Sequence, residues 1–159
     1  MELIEITKDG MPACPISELP EVATDVMAGT AEMYKTTSYH PPWIGYLAIL
    51  NGKCVGSCAF KTPPIEGRVE IAYFTFPENE GRGIATSMAK RLVEKAMSGS
   101  QGIRICAQTL PERNASTRVL EKLGFQKVAE VNHPEDGRVW EWELKAQQDA
   151  PADAEKPRR

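Results

Sequence analysis

Two glycines one residue apart, Gly81 and Gly83, stand where an apolar run (Val69 to Phe76) ends and an amphipathic stretch begins. The order strand, glycine-bearing turn, helix is the geometry of an anion cradle. Both glycines reach backbone torsions closed to other residues, so successive N–H groups converge on one point. The helix behind them adds its own unpaired donors and the positive end of its dipole. The anion chemistry such a turn suits is phosphate binding. A Walker loop would need Gly-Lys-Ser/Thr, but Ile84-Ala85 follows Gly83, and a dinucleotide fingerprint would need a third spaced glycine.

The elements that must hold this turn can be read outward from it. Arg68 to Phe76 reads as a strand. Before it, Ile44 to Leu50, the turn Asn51-Gly52 and Lys53 to Lys61 read as a hairpin. Residues 1–7 alternate as a short strand, and one or two helices fit between Pro20 and Tyr34, with Val22, Val26, Met27 and Met33 apolar. Tyr39-His40-Pro41-Pro42-Trp43 reads as a loop. After the turn, Met88, Ala89, Leu92, Val93, Ala96 and Met97 form one stripe of a helix over about Thr86–Met97. A strand from Ile103 to Thr109 follows. A second helix starts near Asn114, with Ala115, Val119, Leu120 and Leu123 apolar and Gly124 as its stop. Phe125–Val131, the turn Asp136-Gly137 and Val139–Leu144 close the chain as a hairpin. The expected fold is mixed α/β (α+β): one domain over residues 1–144, with helices on both faces of a central, mostly antiparallel, twisted sheet. Residues 145–159 lack aromatic and β-branched residues and are expected to be a disordered tail.

Composition limits the function classes. With 159 residues and 42% hydrophobic content, the chain can build one sizeable core. Its formal net charge of −3 gives a nucleic acid little to attract. No apolar run approaches the roughly 20 residues of a membrane span, and the start Met1-Glu2-Leu3-Ile4-Glu5-Ile6 is acidic, so neither membrane insertion nor a signal peptide is expected and a cytoplasmic location is. Cys54 and Cys58 lie four apart on one strand, roughly 13 Å, too far to bridge. No acidic or histidine cluster accompanies the four cysteines, and no metal site is expected.

Three segments together resemble the GNAT superfamily of acyl-CoA-dependent N-acetyltransferases. They are Glu70-Ile71-Ala72-Tyr73, then Pro77 to Thr86, then Asn114-Ala115-Ser116-Thr117-Arg118-Val119-Leu120-Glu121-Lys122-Leu123-Gly124-Phe125. Within that superfamily the likeness is to the branch containing the ribosomal-protein N-terminal acetyltransferases RimJ and RimL. It covers roughly residues 43 to 144. The resemblance implies acetyl-CoA as co-substrate and a small-molecule or peptide amine as acceptor. It implies that the strand before the cradle and the strand after the first helix splay apart for pantetheine, which pairs with the main chain of Phe74, Thr75 and Phe76. It also implies that the pyrophosphate sits on the N–H groups of Gly81, Arg82, Gly83, Ile84, Ala85 and Thr86, with Asn114 holding pantetheine. Two positions depart from the pattern. Glu80 stands where Gln or Arg is usual, and is expected to turn outward or pair with Arg82. Leu120 stands where many members place a tyrosine acid, leaving Ser116 as the candidate.

Acyl transfer to an amine needs a neutral nucleophile and a stabilised leaving thiolate. Glu70 is the candidate base, because it alternates with Val69 and Ile71 and so faces away from them. An ordinary strand carboxylate or salt bridge is the competing role. For Ser116 and Asn114 the competing role is capping of the second helix. His40 and His133 each precede a proline and have no triad partner at suitable spacing. Trp43, Tyr46, Trp140 and Trp142 are candidates for an acceptor groove or for the core. The expectation is direct attack without an acyl-enzyme, with edge strands offering a route to a homodimer. The alternative is a catalytically inactive CoA-binding sensor or interaction module.

Overall fold

The computed structural model describes residues 1–144. The tail expected over residues 145–159 lies outside the described residues. Seven strands form one sheet in the order β1-β2-β3-β4-β5-β7-β6. The strands are β1 (Glu2–Glu5), β2 (Gly45–Leu50), β3 (Lys53–Phe60), β4 (Arg68–Thr75), β5 (Arg104–Thr109), β6 (Phe125–His133) and β7 (Gly137–Leu144). The helices are α1 (Glu21–Thr37), α2 (Ile84–Gly99) and α3 (Ala115–Lys122). Every strand pair is antiparallel except β4 with β5.

Alternation along β2 shows how the sheet buries both faces. Tyr46 and Ala48 pack into one core with Met88, Leu92 and Ala96 of α2 and Leu120 of α3. Leu47, between them, points the other way into a second core with Ala23 and Met27 of α1, Ile6 and Phe76. A period of two on a strand allows nothing else. The two helix layers therefore lie on opposite faces, α2 and α3 on one and α1 on the other. Fully burying one Leu or Met of the α2 stripe contributes about 1.5–3 kcal/mol. That burial, more than helix propensity, fixes where α2 begins.

The element boundaries follow the expected chemistry, with a few shifts. The Asn51-Gly52 turn takes positive φ at both residues, 53° and 81°, as a type I′ hairpin turn requires. The region after Pro20 is a single helix of 17 residues, extending past Tyr34 to Thr37. Met97 is exposed although the stripe reaches its position, the last buried residue of α2 being Ala96. Ala115 is likewise exposed at the first turn of α3.

The parallel contact between β4 and β5 is short. Arg68 pairs with Arg104, Val69 with Ile105 and Glu70 with Cys106, and there the ladder stops. Beyond that point β4 stays bonded to β3 as far as Gly56↔Thr75, while β5 stays bonded to β7 through Thr109↔Trp140. The two strands therefore separate into a V, each held by its outer neighbour. The Trp142 indole N–H donates to Thr109 Oγ1 at 3.0 Å and ties down the diverging end of β5. At the closed end, Arg68 reaches across β5 to Glu141 of β7, and Arg104 grips Glu143 through Nε and Nη2 at 3.0 and 3.2 Å.

Gly56 sets how closely the other arm packs. A Cβ there would meet the Phe74 carbonyl oxygen at 2.7 Å and Met88 at 3.1 Å. Gly56→Ala should therefore push β4 and α2 outward and cost about 1–3 kcal/mol. Thermal unfolding should fall by several degrees. An unchanged melting temperature would contradict this packing.

Candidate active site

The turn after β4 begins with a single 3-10 turn, Pro77–Asn79, and ends with Gly83 as the residue preceding α2. Gly81 and Gly83 take φ of 80° and 76°. A Cβ at either position would meet no protein atom, so the space in front of the turn is open. No side chain caps α2, and its first turn holds no acidic residue. The first N–H groups of α2 thus lack intrahelical partners and carry the positive dipole end. This donor set fits a diphosphate. Glu80 is exposed, and Arg82 donates to Asn79 Oδ1 at 3.0 Å instead of pairing with it. No side chain is needed to neutralise Glu80, since the donors that matter are main-chain groups.

The V opens directly beside this helix start. Phe76 N–H donates to Val55 O, and Lys61 N–H donates to Glu70 O. The alternation of an antiparallel ladder then turns Phe74 and Phe76 toward β3, and turns the N–H and C=O of Tyr73 and Thr75 into the gap. Of the three residues expected to offer main-chain groups there, only Thr75 faces the gap. Tyr73 joins it, which the sequence reading missed. The strand register, invisible until both partners are known, decides this.

Asn114 accepts from Thr117 N–H at 3.1 Å, and Thr117 Oγ1 accepts from Asn114 N–H at 3.0 Å, a reciprocal cap on α3. The carboxamide oxygen of Asn114 is thus committed to the helix. Ser116 does no capping. Its Oγ lies 3.2 Å from the Tyr73 hydroxyl, which also stands 3.3 Å from Ser116 O. This hydroxyl pair spans from β4 to α3 on the α2 face. Burial raises the Tyr73 phenol above its ordinary pKa, partly offset by the Ser116 hydrogen bond.

On the opposite face, Glu70 occupies the last paired position, at the vertex of the V. Its side chain is 19% exposed, with Oε2 2.7 Å from Lys61 Nζ. That approach lies off hydrogen-bond geometry, so the buried Oε2 has an ion pair and no hydrogen-bond partner. Three cavities run along β4 on this face. One of about 370 Å³ holds Glu70, Lys61, Arg68 and Arg104. One of about 120 Å³ lies between α1 (Val26, Thr30) and Ala72 and Phe74. One of about 850 Å³ lies between the start of α1 and the turn from Phe76 to Asn79.

Of the aromatic candidates, Tyr46 lines the smallest of these cavities, and the tryptophans lie elsewhere. Trp142 is in the α2-side core with Trp140 packed against it, Trp43 stacks edge-on against Phe60, and Tyr46 is fully buried beneath Lys95. Phe74, 42% exposed and edge-on to Phe76, is an exposed aromatic bordering the groove. His133 Nδ1 accepts from the backbone N–H groups of Glu135 and Asp136 in the last hairpin. Among the described residues no group of three or more acidic, histidine or cysteine side chains could hold a metal. No described helix is long and apolar enough to cross a membrane.

The four cysteines are all free. Cys106 is beside Glu70 at the vertex, but burial pushes its thiol up to about 12, and Cys54 and Cys58 rise to about 11 and 12 for the same reason. Burial thus disfavours the thiolate form at these three positions, and with it a cysteine acyl-enzyme there.

The chain matches the Acetyltransferase (GNAT) domain family over residues 11–126. It belongs to the GNAT acetyltransferase family. It is 33% identical over 87 residues to the uncharacterized N-acetyltransferase YjdG of Bacillus subtilis, covering 52% of each chain. It is 32% identical over 74 residues to the uncharacterized N-acetyltransferase p20 of Bacillus licheniformis, covering 46% of this chain and 42% of the relative. The chain thus spans about half the length of these curated relatives. Among solved structures, Mycobacterium smegmatis RimJ in complex with CoA-disulfide aligns with a TM-score of 0.65 at 20% identity, over 85% of this chain and 69% of that one. A chimera of the spermidine N-acetyltransferase SpeG from Vibrio cholerae with hSSAT aligns at 0.65 and 12% identity, over 93% and 98%. These likenesses agree with the fold, mixed α/β with a seven-stranded sheet.

Two outcomes check the site. Gly83→Val forces a β-branched residue to positive φ, at a cost of order 1–3 kcal/mol, and should abolish CoA binding in calorimetry while the fold survives. Iodoacetamide at pH 8 should label the exposed Cys14 and spare Cys54, Cys58 and Cys106, read by intact-mass spectrometry. Rapid labelling at Cys106 would contradict its burial.

Proposed function

We propose that this chain is a cytoplasmic N-acetyltransferase, on the RimJ/RimL-like side of its family, that carries acetyl from acetyl-CoA to an amine by direct attack in a ternary complex. The observation that supports it most is the uncapped start of α2 at the mouth of a gap whose inner main-chain groups on β4 lack a strand partner. A ligand with a diphosphate at one end and an amide-bearing arm at the other satisfies both sets at once. Gly81, Arg82, Gly83, Ile84, Ala85 and Thr86 would hold the diphosphate through their N–H groups. Tyr73 and Thr75 would pair with the arm. Acetyl-CoA supplies an activated thioester to the vertex of the V.

The acceptor enters on the α1 face, where the three cavities follow β4. Glu18, Glu21 and Glu78 line the larger cavity against a single Lys53, which favours a cationic acceptor. Names among the structural relatives, aminoglycoside and spermidine acetyltransferases, are of the same chemical kind. At the vertex the incoming ammonium replaces Lys61 Nζ on the Glu70 carboxylate. Glu70 then takes the proton, directly or through a water, and the neutral amine attacks. A lysine-like amine, with a pKa near 10.4, needs this help more than an α-amino group near 8.

Acetyl-CoA turnover across a panel of peptides, polyamines and small amines, read by release of free thiol, tests the reaction. CoA binding without turnover on any amine would favour a sensor or interaction module instead. Glu70→Gln should lower kcat for a high-pKa amine by about 10²-fold, with a smaller loss for a peptide N-terminus and little change in KM for acetyl-CoA. Wild-type rates in that variant would remove Glu70 from the mechanism.

A further inference from the structure

In the proposed function Tyr73 contributes only main-chain groups, and the hydroxyl pair it forms with Ser116, the candidate acid, has been given no task. We propose that the Tyr73 hydroxyl, supplied by the strand rather than by the helix, receives the sulfur of the departing coenzyme A, with Ser116 as its hydrogen-bond partner. This rests on the acetyltransferase reading and adds a catalytic residue to it.

Position supports the assignment first. Tyr73 turns its main chain into the gap, and its side chain, on the α2 face, brings its hydroxyl to Ser116 of α3. It lies three residues past Glu70 along β4, between the vertex and the cradle. Neighbouring alternation places Glu70 on one face and Tyr73 on the other, so proton removal and sulfur stabilisation come from opposite sides of the reacting carbon.

Hydrogen-bond accounting supports it next. The α3 cap is complete without Ser116, so the Ser116 hydroxyl owes the helix start nothing. Leu120, one turn further along α3 on the same side, is fully buried and has no donor to give. The Tyr73 contacts, 3.2 and 3.3 Å, are long for O–H···O bonds, whose usual separation is about 2.7–2.8 Å. A loosely held donor can turn to a better acceptor at little cost. Burial also keeps the phenol neutral, so the donor is present throughout the working pH range.

The step balances as follows. The amine nitrogen forms the N–C bond and the C–S bond breaks, leaving its electron pair on sulfur. The proton lost by nitrogen passes to Glu70 and on to water. Tyr73 donates a hydrogen bond to the sulfur without losing its own proton, and the sulfur is protonated by water as it leaves.

The test is the titration of the CoA thiol bound to the full chain, followed by thiolate absorbance in difference spectra against CoA-free protein. Tyr73→Phe should bind CoA within about threefold of wild type by calorimetry, yet its bound thiol should titrate about one pH unit higher. Ser116→Ala should shift the midpoint the same way by less. In turnover, Tyr73→Phe should lose about 10–100-fold in kcat with KM for acetyl-CoA little changed. The double variant should be no worse than Tyr73→Phe alone. Equal midpoints in wild type and Tyr73→Phe overturn the proposal, and if Tyr73→Phe does not fold, an unshifted midpoint in Ser116→Ala overturns it. Failure of the wild type to bind CoA would instead sink the acetyltransferase reading.

Discussion

The parallel ladder between β4 and β5 ends after three residue pairs, and the site depends on that ending. Backbone N–H and C=O groups inside a protein are seldom left without partners. Here the unpaired inner edge of β4 is tolerated because each arm of the V is fully bonded on its outer side, β4 to β3 and β5 to β7. The Arg68–Glu141 pair spans β5 at the closed end, while Arg104–Glu143 joins β5 to β7. Partly exposed ion pairs of this kind contribute little each to stability. The gap is thus a property of the sheet, present before any ligand arrives.

The same divergence explains why the two faces have different tasks. The α2 face is filled by one large core and presents only the helix start, the β4 edge and the Tyr73–Ser116 pair to a ligand. The α1 face is filled only over β1–β3, so the vertex and the length of β4 remain approachable. On the proposed function, a thioester on the first face and an amine on the second would meet at the vertex, which favours transfer in one step over storage of acetyl on the protein, as does the burial that raises the Cys106 thiol.

Local signals made much of this legible in the sequence. The glycine pair, the Asn51-Gly52 turn, the α2 stripe and the Asn114 start of α3 each depend on neighbours in the chain, and each lies where its residues indicated. Tertiary matters were less accessible. Which of Phe74, Thr75 and Phe76 faces the gap follows from register against β3, and a shift of one residue would invert it. Ser116 and Asn114 carried the same two candidate roles because serine and asparagine cap helices almost equally well. Only the partnership of Thr117 with Asn114 separates them. Trp140 and Trp142 were compatible with a groove or the core by type alone, and it is the pairing of β7 with β5 that turns them to the core.

The absence of a tyrosine at position 120 need not leave the sulfur without a donor. On the proposal above, a strand hydroxyl at position 73 takes that task, since it reaches Ser116 of α3, one turn before position 120. Placing the phenol on β4 ties it to the strand whose main chain also faces the co-substrate, so the donor and the arm it serves move together. It also frees position 120 for a fully buried leucine, which strengthens the packing of a helix only eight residues long. Short helices are held mainly by such burial rather than by their own hydrogen bonds. On this reading, the leucine and the tyrosine are two halves of one arrangement: apolar anchoring from α3 and hydrogen bonding from β4.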